Sequence, residues 1–397
     1  MPRFIALPVG QGDAFLLETD KGTVLVDGGR AVKSFAHLFK TYAQRDGVDV
    51  LVATHNDADH ANGVLGFLEA GFKCNELWLP GRWVQVLPHV LRPWEEVVVL
   101  LAKQAKQVAN EFEEWTPYRP LLEQYAEFAS SEVEESQDFV VEKIEVDESG
   151  WPYPLITNQE KTFEDDLSGE LFWRSVFRVW LTLLGIRYLP ERVLFCEAIA
   201  AAKRIRQIAL EAFHRGLPVR WFVYDPTRPA GGETWLKPLN AREIARVTPI
   251  PESQRVTPIP ESQLLACLAL TVWNKESFVL WAPPPYAGPG VLFTADSDLK
   301  DVSLPVLKGA IVTAPHHGSE NNRSVYQLVM QNSVSEVVWV RSDGNFRKRP
   351  CKEYIRAPGK RFCTLCRNST RPKQAVVLFV QSNIWVPDER VHPCSCK

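Results

Sequence analysis

The sequence has no long hydrophobic run. Its best apolar stretch, residues 176–186, is short and broken by Arg178, whereas a membrane span needs about 20 apolar residues in a row. No membrane partner is therefore expected. Neither sign of charge dominates: 48 Asp and Glu against 45 Lys and Arg leave a net charge of −3. That excludes a polycation and confines any nucleic-acid contact to a local patch. The first residues reach Gly10-Gln11-Gly12-Asp13 before an apolar segment of leader length develops, so no signal peptide is expected. Cysteine is sparse through most of the chain. Cys74, Cys196 and Cys267 are scattered in apolar contexts, and the other five of the 8 lie in the last 47 residues. Such spacing excludes a disulfide framework and suits a reducing, cytoplasmic setting with a metal knot at one end.

What is present is ordinary globular composition. Over 397 residues, 45% are hydrophobic and 23% charged, which excludes a disordered or fibrous chain. The length predicts two or three domains, or one elaborated domain. Residues 3–28 read as strands joined by tight turns, with Gly10-Gln11-Gly12-Asp13 as one turn and Asp20-Lys21-Gly22 as another. Residues 32–42 carry helical spacing, 49–54 form a short apolar strand, and 61–70 read as a helix. Residues 97–112, 121–128, 171–184 and 191–214 are helical in period. Between 95 and 170, 20 Asp and Glu face 5 Lys and Arg, a local charge of −15. Strands are expected at 219–223, 266–273, 277–281, 291–294, 310–313 and 336–340. A helix is expected at 322–330 and a closing hairpin at 375–386. Residues 246–263 hold a perfect tandem repeat, Arg-Val-Thr-Pro-Ile-Pro-Glu-Ser-Gln, whose prolines favour an extended surface loop. Strands and helices alternate around a helical insertion, which points to an α/β architecture.

The chemistry concentrates at three strand ends. The first is Thr54-His55-Asn56-Asp57-Ala58-Asp59-His60, which places four candidate metal ligands within six residues. Imidazole nitrogen and carboxylate oxygen suit zinc, manganese or iron. The second strand, Leu292-Phe293-Thr294-Ala295-Asp296, ends in a carboxylate, and the third runs into Pro315-His316-His317-Gly318-Ser319. Each alone reads as a solvated turn or loop cap. Together they form a constellation in a chain with only 8 His.

This set resembles the metallo-β-lactamase superfamily, and within it the soluble hydrolase domain of the DNA-uptake protein ComEC and its free-standing relatives. The matching pieces, in the family's order, are Val9-Gly10-Gln11-Gly12-Asp13, Leu25-Val26-Asp27-Gly28-Gly29, the block from Thr54 to His60, Phe293-Thr294-Ala295-Asp296 and Pro315-His316-His317-Gly318-Ser319. The resemblance covers residues 1–85, 219–341 and the closing strands. It implies a four-layer αβ/βα sandwich with one or two divalent ions, zinc or manganese, at the edge of the two sheets. The implied ligands are His55 and Asp57 for one site, and Asp59, His60 and one of His316 and His317 for the other. Asp296 would bridge, and Asp27 would orient a ligand imidazole. The partner of the ligating histidine in the His316-His317 pair would be a substrate-side donor or a packing residue. The implied catalytic set is Asp59, Asp57 and His317, with Asp59 or Asp57 accepting a proton while the metal acidifies water. His89 and His214 are lesser candidates, since a histidine on a helix more often packs.

Two departures bear on chemistry. Asp57 stands where many superfamily members have His, and the harder oxygen shifts preference toward manganese or iron. Asn345-Phe346-Arg347-Lys348-Arg349-Pro350 stands where the branch has a Tyr-Gly-His-Pro-like segment, which exchanges a proton donor for an anion clamp. The domains are then 1–85 and 218–341 as the two halves of the fold, 86–217 as the acidic insertion, and 342–397 as a basic segment with closing strands.

Residues 341–373 carry 11 Lys and Arg against 2 Asp and Glu, a local charge of +9. Phe346, Tyr354 and Phe362 are interleaved with them. Basic side chains bind phosphates and aromatics stack on unpaired bases. With Ser319, Arg347, Lys348 and Arg349 as substrate contacts, this favours a nuclease or other phosphodiesterase acting on DNA or RNA. The alternative for the basic stretch is a solvated loop, or one docked on the acidic insertion. Alternatives for the whole chain are a hydrolase of a small phosphodiester or ester, and a partner-binding module with a degenerate metal site. The insertion would also suit a partner protein in a regulated effector, and relatives of this branch resemble proteins of bacterial antiviral defence loci. Finally, Cys363-Thr364-Leu365-Cys366 and Cys394-Ser395-Cys396 have the spacing of a structural zinc knot. The competing reading is surface thiols or a redox pair.

Overall fold

A computed structural model of the chain describes residues 2–110, 189–247, 258–269, 276–333, 336–343, 349–365 and 374–396. The expected helices at 121–128 and 171–184, most of the acidic insertion and of the tandem repeat, and Phe346, Arg347, Lys348 and Cys366 lie outside the described residues. The chain divides into two compact units. One comprises Met1–Trp83, Gln207–Gln254 and Val272–Lys397, the other Val84–Arg206 and Arg255–Thr271.

The first unit holds two sheets. The strands are β1 Arg3–Ala6, β2 Phe15–Glu18, β3 Thr23–Val26, β4 Gly47–Val52, β5 Lys73–Pro80, β6 Val219–Tyr224, β7 Lys237–Pro238 and β8 Ala241–Val247. They continue with β9 Leu280–Ala282, β10 Val291–Phe293, β11 Ile311–Thr313, β12 Val338–Arg341, β13 Lys360–Cys363, β14 Val376–Gln381 and β15 Ile384–Pro387. The larger sheet has nine strands in the order β15-β14-β1-β2-β3-β4-β5-β6-β8, and the smaller has six in the order β13-β12-β11-β10-β9-β7. Strands β1 to β3 pair antiparallel through tight turns. From β3 to β6 the pairing is parallel. Such strands are covered on both faces, so β3 reads Thr-Val-Leu-Val and every residue in it is buried.

Helices follow β3 and β4. Helix α1, Val32–Ala43, buries Phe35, Phe39 and Ala43 at four-residue spacing. Helix α2, Ala58–Glu69, supplies Phe67, and Phe39 meets the rings of Phe67 at 5.1 Å and Phe72 at 4.9 Å. Between the sheets, Phe4 and Phe15 of the larger meet Phe293 of the smaller at 6.1 and 6.3 Å. Burying each such ring stabilises the fold by about 1.5–3 kcal/mol. On its other face, Trp339 of the smaller sheet packs on Tyr326 of the helix Ser324–Gln331, at 5.1 Å. Hence the catalytic-looking strand ends are held by a core on both sides.

The second unit contains helix α3, Trp94–Asn110. Buried Arg206 donates to the carbonyls of Val90 at 2.8 Å and Arg92 at 2.6 Å and lies over the Trp94 ring. It therefore satisfies carbonyls left open where the chain turns between helices. Residues 266–273 were expected to be a strand. The structure instead forms the helix Leu264–Ala269, with 270–275 outside the described residues. A short apolar run does not reveal its own period. The helix is settled by a contact across the unit: the Gln104 side chain accepts the Leu265 N–H at 2.7 Å and donates to the Glu261 carbonyl.

Candidate metal centre

Local backbone geometry places the first cluster. Strand β4 ends at Val52, the chain turns through Thr54 and His55, and α2 starts after Asp57. His60 thus sits in the first turn of a helix and His55 on the strand side of the same loop. The turn packs tightly on two others. Gly12 has φ +104, and a Cβ there would lie 1.8 Å from the Asp59 carbonyl oxygen. A Cβ on Gly63 would lie 1.9 Å from the Gly28 oxygen. Only glycine permits this approach, and it draws Asp13 and Asp27 against the histidines.

Asp27 organises two rings. Its Oδ1 accepts the Thr54 N–H at 2.8 Å, and its Oδ2 accepts the Thr54 hydroxyl at 2.7 Å and meets His60 Nδ1 at 2.8 Å. The Thr54 hydroxyl in turn meets His55 Nδ1 at 2.9 Å. A third ring, His317, meets Asp13 Oδ1 through Nδ1 at 3.0 Å. With each Nδ1 engaged, the Nε2 atoms point inward. Those of His55, His60 and His317 are buried, and carboxylate oxygens are the groups they face.

Asp296 stands at the centre of these atoms. It follows β10, and its N–H is held by the Ser277 hydroxyl at 3.1 Å while Asn322 donates to its carbonyl at 3.0 Å. Oδ2 of Asp296 lies 3.6 Å from His55 Nε2 and 3.5 Å from His316 Nε2, and Asp57 Oδ2 is 3.7 Å from the same His55 atom. Oδ1 of Asp296 lies 3.0 Å from His60 Nε2 and 3.9 Å from His317 Nε2, and Asp59 Oδ2 is 3.2 Å from that His317 atom. The two oxygens of one carboxylate therefore face two different sets of donors. Metal-compatible groupings formed here are His55, His60 and Asp296, and Asp13, His60 and His317.

Backbone strain gathers at the same place. Asp27, Ala295, His316 and His317 all have positive φ, between 45° and 59°. Non-glycine residues held there each cost about 1–3 kcal/mol, and such residues cluster at functional sites. The successive left-handed residues His316 and His317 aim two adjacent rings differently: one toward Asp296 Oδ2, the other toward Asp59 and Asp13.

The electrostatics follow from burial among carboxylates. Burial pulls the His60 imidazole down, but Asp296 and Asp27 outweigh it and hold it well above its ordinary value. The same contest leaves His317 raised to about 10, by Asp13, Asp59 and Asp296, and His55 raised to about 9, by Asp296 and Asp57. Burial would raise Asp59 and Asp296, yet the neighbouring histidines bring both well below the usual carboxylate range. Burial raises Asp13. His316 differs: burial lowers it to about 4, and the charges of Arg349 and His317 add to that against Asp296.

His55, Asp57, Asp59, His60, Asp296, His316 and His317 thus lie together, and Asp57 and Asp59 are the half-buried members on the open side. Beside His55 a cleft is walled by Phe222, Tyr224 and Phe278, with Arg82 and Glu276 paired at 2.6 Å. Ser319 accepts the Asn321 N–H through its hydroxyl and so caps the next turn. Arg349 Nη1 lies 3.7 Å from Asp343 Oδ1. His89 meets the Ile259 carbonyl at 2.6 Å within the second unit, and His214 packs beside Phe213.

Among the described residues of the basic stretch, fewer side chains are available than its composition suggested. Tyr354 and Phe362 are buried in the core, 0% and 3% exposed, so neither offers a face to a base. Arg341 is buried as well, paired with Asp343 at 2.9 Å and donating to the His317 carbonyl at 2.7 Å. Of the candidate zinc-knot residues, Cys363, Cys394 and Cys396 have their sulfurs within 4.8 Å of one another.

The sequence reading gave no role to Asp13, Thr54, Ser277 or Arg341. Asp13 had a signal: it closes the Gly-Gln-Gly-Asp turn, where an acidic residue follows two glycines that allow close approach. Ser277 and Arg341 carried none, because their roles depend on strands remote in sequence.

Residues 7–100 match the family model of the metallo-beta-lactamase superfamily. That stretch contains Asp13, Asp27 and the whole block from Thr54 to His60. Nothing in the match narrows it to the ComEC-like branch. No curated protein matches the chain. Among the described residues no helix is long and apolar enough to cross a membrane. The α/β fold with its mixed sheets and the metal-compatible clusters support a metal-dependent hydrolase.

Proposed function

We propose that this chain is a metal-dependent phosphodiesterase, built as a four-layer αβ/βα sandwich and directed at DNA or RNA. The observation that carries the reading is the two-sided environment of Asp296. Its Oδ2 serves a set completed by His55, Asp57 and His316, and its Oδ1 serves a set completed by Asp59, His60 and His317. The donors fit divalent zinc, manganese or iron, and the oxygen of Asp57 favours manganese or iron in the first set. The buried Nε2 atoms of His55, His60 and His317, which face carboxylate oxygens without well-aligned hydrogen bonds, are the groups that such an ion would join. An ion held there supplies acidity to water and neutralises charge at the reacting centre.

The remaining work belongs to the chain. Asp27 and Asp13 fix ring orientation, which raises ligand basicity. Asp57, with a 35% exposed side chain, is placed on the open side to take a proton, while Asp59 is occupied with His317. Arg349, near enough to His316 to depress it, gives the site a cation for a phosphate oxygen.

The cleft beside His55 favours a second reading, a small phosphodiester or ester whose organic group packs on Phe222 and Phe278. The burial of Tyr354 and Phe362 points the same way. Protein reconstituted with manganese or zinc separates the two. Cleavage of single- or double-stranded polynucleotide, lost in Asp296→Asn, supports the nuclease. Turnover of bis-p-nitrophenyl phosphate without polynucleotide binding supports the small substrate. A correctly folded, metal-loaded protein that hydrolyses neither refutes the phosphodiesterase reading.

A further inference from the structure

A second cluster of soft donors lies at the edge of the smaller sheet. Cys363 ends β13, the outermost strand, and Cys394 and Cys396 lie on the last residues of the chain. Their sulfurs are all within 4.8 Å of one another. Tetrahedral zinc at about 2.3 Å from each sulfur sets neighbouring sulfurs about 3.8 Å apart, so a small closure suffices. None of the three forms a disulfide. Cys363 and Cys396 form a small buried cluster of their own, against which Cys394 packs, and Cys394 also touches the core of the smaller sheet.

The backbone brings them together with a zipper. The Cys394 N–H donates to the Arg361 carbonyl at 2.7 Å, and Phe362 bridges Pro393. Gln374 donates to the carbonyls of Cys363 and His392, both at 3.1 Å. Arg341 stands opposite Cys363 on the neighbouring strand β12.

We propose that Cys363, Cys394 and Cys396 bind one zinc ion as a structural thiolate site that pins the last residues of the chain to β13. The site is independent of the hydrolase centre but mechanically joined to it. Cys363 is registered opposite Arg341, the Thr364 N–H donates to the Arg341 carbonyl at 3.0 Å, and Arg341 Nη1 reaches the Leu365 carbonyl at 3.4 Å. Arg341 in turn holds the His317 carbonyl at 2.7 Å. The thiolate-bound zinc therefore acts as a positioning element for the strained turn that carries His316 and His317.

The test uses the full chain, purified under reduction. After a chelator has stripped the histidine–aspartate centre, one zinc per chain should remain and be released by a mercurial thiol reagent. Cobalt in its place should show sulfur-to-cobalt charge-transfer absorption. Cys394→Ser should lose this ion, and Cys394→His should keep it with an altered cobalt spectrum, which distinguishes a ligand from a packing residue. Cys74→Ser, a buried cysteine remote from the cluster, should keep the wild-type spectrum. Removing the zinc should raise amide exchange at residues 314–318 several-fold. Wild type that retains no zinc with its thiols reduced, that shows no charge-transfer band, or that carries a Cys363–Cys394 or Cys363–Cys396 disulfide instead overturns the site. Unchanged exchange at 314–318 after zinc removal overturns its link to His317.

Discussion

Asp13 offers the sharpest test of how the centre is held. Its carboxylate is 1% exposed and touches no proposed substrate position, yet its Oδ1 lies 3.0 Å from Nδ1 of His317. If it orients that imidazole, then Asp13→Asn keeps the shape and an acceptor oxygen but loses the charge. Asp13→Ala loses both and leaves a buried ring nitrogen without its partner. Outer carboxylates of this kind contribute about 10- to 100-fold in metal affinity, or about 1.4–2.8 kcal/mol. Asp13→Asn is expected near the lower figure and Asp13→Ala at or beyond the upper one, since an unsatisfied buried polar group adds about 1–3 kcal/mol. Competition with a chromophoric chelator at fixed pH measures the affinity, and near-ultraviolet circular dichroism checks the fold. The reasoning is refuted if both variants bind as wild type does while His317→Ala binds more weakly. In that case His317 is a ligand whose orientation does not depend on Asp13.

Other consequences are as direct. Metal uptake should release protons, because His317 and His55 are raised to about 10 and about 9 from 6.5. A raised folded-state value means stability that is complete below 6.5 and lost as pH rises through those values. Below those values the ion must displace a proton from each ring, so affinity should climb with pH to about 10 and level off above it. Calorimetry in buffers of different ionisation enthalpy reads the released protons, and a pH-independent affinity would count against imidazole ligands. Gly12→Ala should destabilise by about 2–4 kcal/mol in urea unfolding, from a strained φ and a clash with the Asp59 carbonyl; a shift below about 0.5 kcal/mol would show that the turn can move. Arg220 is 4% exposed among Glu76, Glu233 and Glu243 and lies over Trp78 at 4.8 Å. Arg220→Met, which removes the cation that three carboxylates share, should lower stability by about 3–5 kcal/mol, and a neutral result in chemical denaturation would show that they are already solvated.

Much of this was legible in the chain itself. The apolar runs ending in His55, Asp296 and His316 announce strands that stop at polar ligands, because an apolar strand must be buried and its end must turn. The glycines of Gly10-Gln11-Gly12-Asp13 and Asp27-Gly28-Gly29 mark where backbone conformation is exceptional. Less was legible where partners are far apart in sequence. The period of residues 264–269 does not distinguish helix from strand, and the helix there depends on Gln104. The 2-residue strand β7 exists only because β9 lies beside it. The interleaved aromatics Tyr354 and Phe362 suggested a stacking surface, but composition carries no record of which way a side chain faces.

The sequence by itself therefore determined the candidate ligand types, their positions at strand ends, and the match of residues 7–100 to the superfamily model. These are local properties, fixed by hydropathy period and by the chemistry of neighbouring residues. Tertiary structure alone decided the grouping. It put His316 and His317 on opposite oxygens of Asp296 through two left-handed residues. It gave His317 to Asp13, 304 residues away. It turned Arg341 from a surface charge into a buried bracket, and it collected three cysteines from two strand-edge segments. Each of these depends on distances set when the two sheets close over a common core, which no local pattern encodes.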